Sequence, residues 1–131
     1  MKVDLAYLMA NYHLKKWGLK DIKVTIVPPN KMIPDTWQTK VYDLKRRYLF
    51  FEKVGGILGQ ALAVNGKREM RLNKAFIELN SRILVKETIL HEIAHFLTLS
   101  VEDNQKHGHE WLLNCIRVGL NPTVNRKVKN R

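Results

Sequence analysis

A single cysteine, Cys115, stands among 131 residues, which excludes an internal disulfide and any thiolate-rich zinc ribbon. Any metal the chain binds must rest on histidine or carboxylate. Glycine and proline number only 7 and 4, far from a collagenous or low-complexity composition. No stretch approaches the roughly 18 uninterrupted apolar residues of a membrane span. The opening MKVDLAYLMANYHLKKWG carries Asp4, Asn11 and His13 where a secretory signal needs an apolar run. These absences lead to the expectation of a cytoplasmic protein with no membrane partner. Acidic residues are also scarce, 12 against 23 basic ones, for a net charge of +11 and a pI near 10.0. The excess is spread along the chain: residues 1–66 hold 11 basic and 5 acidic residues, residues 67–131 hold 12 and 7. Such a surface suits phosphate backbones, so DNA contact is expected, with a nucleoid-associated location if it holds.

With 45% hydrophobic residues the chain suits one globular domain. Asp4 to Trp17 places Leu5, Leu8, Met9 and Tyr12 at helical spacing, ahead of a stop at Gly18. Lys23 to Val27 and Tyr48 to Val54 have strand character. Ile57 to Val64 runs through Asn65-Gly66, a strong hairpin signal, into Glu69 to Asn73. Ile83 to Ser100 repeats apolar residues at Val85, Ile89, Ile93 and Leu97, the mark of a helix. A last helix is expected over His109 to Val118, with Trp111, Leu112, Cys115 and Ile116 on one face and Gly119 at its end. The fold class is therefore α+β: an N-terminal helix, a small antiparallel sheet of three or four strands, a long helix and a closing helix. Residues 1–120 form the domain, and 121–131 form a basic tail.

Within the long helix lies His91-Glu92-Ile93-Ala94-His95, the pattern H-E-x-x-H. Residues four apart share a helix face, so both imidazoles can hold one zinc ion, while Glu92 reaches water on that ion. With 5 histidines in the chain, chance alone yields the pattern in roughly 1% of shuffled sequences. On a helical wheel His91 and His95 fall with Thr88 and Thr98, opposite the apolar arc. A catalytic zinc takes a third protein ligand and keeps its fourth position open. Either His107 or His109, twelve or more residues downstream of His95, could supply it.

The combination resembles the SprT-like metallopeptidases, in which an H-E-x-x-H helix is followed by an H-G-x-E-[WF] segment. His107-Gly108-His109-Glu110-Trp111 matches that segment, and Leu58-Gly59-Gln60 and Met70-Arg71-Leu72-Asn73 match the strands that precede the zinc helix. The resemblance implies a zincin-like fold, zinc on His91, His95 and His107, Glu92 as general base, peptide-bond hydrolysis and protein substrates near DNA. It leaves His109 outside the ligand set. Zinc would lower the pKa of its bound water to about 7 and polarise the scissile carbonyl. Trp37, Lys45, Arg46, Arg47, Arg126, Lys127, Lys129 and Arg131 are the expected nucleic-acid contacts. Two other readings stand beside this one. One is a metallopeptidase with a soluble, DNA-independent substrate. The other is a basic nucleic-acid-binding module with a structural zinc, closed by His109 or Asp103. Trp111 and Cys115 read as packing residues, and His13 as structural or exposed.

Overall fold

A computed structural model describes residues 1–32, 58–64 and 66–121. Helix α1 (Val3–Lys16) leads into strand β1 (Ile22–Val27) and a single 3₁₀ turn at Pro29–Lys31. Strands β2 (Gly59–Val64) and β3 (Lys67–Asn73) follow, then helices α2 (Lys74–Leu79), α3 (Arg82–Leu97), α4 (Val101–Lys106) and α5 (His109–Arg117). The expected strand Tyr48–Val54 lies outside the described residues.

The fold is α+β, as expected, but its sheet is mixed rather than antiparallel. Strand order is β1-β3-β2, with β2 antiparallel and β1 parallel to the central β3. Gly66, at φ +75°, closes the β2–β3 hairpin, so a local turn sets that pairing. No local turn sets the direction of β1. The long connection before β2 is ample for the crossover that parallel pairing requires. Val24, Met70 and Leu72 are buried on one face, with Val24 paired to Met70 and Met70 to Ala61.

Helix α3 seals that face with Val85, Ile89 and Ile93, each at most 1% exposed. Helix α1 packs against α3 and β1 through Ala6, Ala10 and Leu14 rather than through its larger apolar residues. The two alanines let the backbones approach closely, and Leu5, Leu8 and Tyr12 are left on the outer face. His13 lies in the buried stripe, at 7% exposure. Burial first, then the charges of Lys86 and Lys16, lower its pKa below the usual imidazole value.

Two short helices escape the periodicity argument, since six residues are too few to display it. Asn73 ends β3 and caps α2, its side chain accepting from the Phe76 N–H at 3.2 Å. Ser100 caps α4 by accepting from the Asp103 N–H at 3.2 Å. Helix α3 ends at Leu97, three residues before the expected Ser100. On α5 only Trp111 and Cys115 are buried, while Leu112 and Ile116 turn outward. The Cys115 thiol is wholly enclosed and pushed up to about 11 by burial, which suits packing and not nucleophilic chemistry.

Candidate metal centre

The outer side of α3 carries His91 and His95 one turn apart, and the next two elements bring a third histidine to them. The His95 Nε2 lies 3.2 Å from His91 Nε2 and 3.1 Å from His107 Nε2. One nitrogen from each ring falls within 4.8 Å of the others. A tetrahedral zinc with nitrogen ligands at 2.0–2.1 Å spaces those nitrogens about 3.3 Å apart. The two separations about His95 match that spacing, and the third ring offers a nitrogen within reach of the same ion. Burial, then the neighbouring imidazoles of His95 and His107, hold the His91 pKa down at about 3. That imidazole is neutral at physiological pH and keeps a lone pair for a metal.

His107 reaches the cluster by an unusual backbone. It ends α4 in the left-handed region, at φ 53° and ψ 48°, and so turns the chain back toward α3. Gly108 follows because nothing larger fits. A Cβ there would lie 2.5 Å from Asp103 Oδ1 and 3.0 Å from Asp103 Cα. The Asp103 carboxylate occupies that space in order to accept the Glu110 N–H at 2.9 Å, near the start of α5. The Glu110 carboxylate in turn accepts the N–H groups of Leu99 at 2.6 Å and Ser100 at 3.0 Å. Each residue of the His107–Trp111 segment except His109 thus has a structural task in folding α4 and α5 back over α3.

Trp111 completes the floor. Its ring centroid is 4.2 Å from that of His107, 5.0 Å from His91 and 5.6 Å from His95. The packing role read from sequence holds, and the same ring also backs all three imidazoles. Thr98, which the helical wheel places with the histidines opposite the apolar arc, is 5% exposed. It is covered because the Asn114 side chain on α5 donates to its hydroxyl at 3.1 Å.

Glu92 is 4% exposed, and its Oε1 lies 3.8 Å from His91 Nε2. Strand β2 presses on it: a Cβ on Gly59 would meet Glu92 Cγ at 3.2 Å and Thr88 Cγ2 at 3.0 Å. The glycine in the Leu58-Gly59-Gln60 segment therefore makes room for the glutamate. Sequence reasoning gave it no such task, and the signal was there only as a lone glycine within a strand.

Of the residues singled out from sequence, His91, Glu92, His95 and His107 come together. His109 is exposed at the start of α5 and is not in the cluster, and Asp103 is engaged in the α5 turn. Among the described residues no other group of three His, Cys, Asp or Glu side chains could hold a metal ion. Trp37, Lys45, Arg46, Arg47, Arg126, Lys127, Lys129 and Arg131 lie outside the described residues. No helix among the described residues is long and apolar enough to cross a membrane.

No curated protein and no solved structure shows a significant match to the chain. The SprT-like family profile, in contrast, matches residues 35–130, which span the cluster, both flanking helices and the hairpin. On that match, and with its motif residues assembled as described, the chain belongs to the SprT-like family.

Proposed function

We propose that this protein is a zinc-dependent metalloendopeptidase of zincin-like arrangement. The observation that carries the reading is the three-histidine cluster beside a buried glutamate. Three protein ligands, with no fourth among the described residues, match a catalytic zinc site, whereas structural sites are closed by four. His91, His95 and His107 would hold the ion through Nε2. Zinc bound there supplies Lewis acidity, polarising a carbonyl and acidifying a water. Glu92 accepts a proton from the attacking water at a carboxylate oxygen and later returns it to the leaving amine. Trp111 excludes water from the inner side of the imidazoles.

The substrate class rests on the family resemblance together with charge. A chain of +11 concentrates on polyanions, which supports proteins bound or crosslinked to DNA as its substrates, with DNA supplying localisation rather than sequence specificity. The experiment is cleavage of a basic protein by wild type and Glu92→Gln, with and without DNA, over a salt series. The expected result is cleavage by wild type alone, lost on chelation, stimulated by DNA at low salt and not at high salt. Equal rates with and without DNA at every salt concentration would place the substrate among soluble proteins. Cleavage by neither protein, with zinc bound, would favour the binding module.

A further inference from the structure

Asn104 on α4 touches the cluster from outside it. Its Nδ2 donates to the His95 carbonyl at 3.0 Å and to the Thr98 carbonyl at 3.3 Å. Carbonyl oxygens only accept, so the amino end of the carboxamide must face them, and the amide orientation is fixed. Its Oδ1 then points at His95 Nδ1, 2.6 Å away. An amide oxygen also only accepts, so the His95 proton sits on Nδ1. In the neutral ring the lone pair is left at Nε2, the atom that faces His91 and His107.

We propose that Asn104 is a positioning residue for the metal centre: it locks His95 in the Nδ1–H tautomer, aims Nε2 at the ion, and ties that ligand to the helix delivering His107. The inference rests on the reading that the three histidines hold zinc. Ring orientation by a hydrogen bond to the remote nitrogen is a common way to set a metal-binding histidine, and losing it typically costs about 10–100-fold in affinity. A rival role needs no metal. The His95 and Thr98 carbonyls lie at the end of α3, where the regular helical ladder stops and His95 O accepts only a shared bond from the Thr98 N–H, and an amide donor there is a helix cap. The cap uses Nδ2 alone. The positioning role uses Oδ1, so the two roles separate by chemistry.

The test uses the full chain, comparing Asn104→Ala, which removes both ends of the amide, with Asn104→Asp, which keeps an acceptor and loses the donors. Three quantities are read: the His95 tautomer in metal-free protein from ¹⁵N shifts, zinc affinity by competition with a chromophoric chelator, and thermal stability. Wild type should show His95 as Nδ1–H before any metal is added. Asn104→Ala should yield a tautomer mixture and a roughly 10–100-fold weaker zinc affinity. Asn104→Asp should lose stability with the cap yet keep the Nδ1–H tautomer and hold zinc within a few-fold of wild type.

A metal-free wild type with His95 as Nε2–H would overturn the inference. So would equal zinc loss in the Asp and Ala variants, which would reduce Asn104 to a cap. A wild type that binds no zinc while His95 is Nδ1–H would overturn the metal-centre reading instead. The tautomer tells the two failures apart.

Discussion

The carboxylate of Asp103 occupies the space that a side chain at position 108 would need, leaving 2.5 Å between its Oδ1 and a Cβ on Gly108. Part of the obstruction is the Asp103 backbone, whose Cα would lie at 3.0 Å, so rotating the carboxylate away does not clear it. Gly108→Ala should therefore destabilise the protein by about 1–3 kcal/mol, the usual range for forced overpacking. Because the strain falls between His107 and α5, zinc affinity should drop as well. Thermal unfolding with and without zinc measures both effects. A variant with wild-type stability and affinity would show that the turn has slack.

Gly59 sets a different contact. A Cβ on it would press on Glu92 Cγ at 3.2 Å and on Leu72 Cδ2 at 3.3 Å, tight but within reach of a small shift. Gly59→Ala is expected to fold, bind one zinc, and lose about tenfold or more in kcat as the carboxylate is displaced, since general-base catalysis depends on its reach. Steady-state kinetics alongside metal analysis reads this. Unaltered kcat would mean that Glu92 is not held by β2.

His13 makes stability depend on pH. Its folded pKa is lowered by burial and by Lys86 and Lys16, so the unfolded chain takes up a proton first as pH falls. The contribution of His13 is thus fully favourable above the ordinary imidazole value of 6.5 and declines as pH drops below it. His13→Gln should flatten the pH dependence of the unfolding temperature between about pH 6.5 and 5. The variant and wild type falling in parallel over that range would assign the effect elsewhere.

The elements legible in the sequence are those with a local signature. Val85, Ile89 and Ile93 announce α3 through their spacing, and Asn65-Gly66 marks the β2–β3 hairpin. H-E-x-x-H and the His107–Trp111 segment name the clustered residues before any coordinates. The rest depends on contacts distant in sequence. No turn dictates that β1 runs parallel to β3. Spacing on α1 singles out Leu5, Leu8 and Tyr12, yet the buried stripe runs through the alanines, because close approach to α3 decides the helix rotation. Val101–Lys106 is a short polar stretch between the two histidine segments, so neither α4 nor the task of Asn104 shows in its composition.

The central claim is that His91, His95 and His107 form the metal site and His109 does not. Elemental analysis of zinc in wild type, His107→Ala and His109→Ala, with cleavage of a basic protein run in parallel, tests it most directly. The expected result is one zinc per chain in wild type and His109→Ala, both active, and loss of zinc and activity together in His107→Ala. Zinc retained in His107→Ala, or lost equally in both variants without any cleavage, would contradict the assignment and point to a closed structural site.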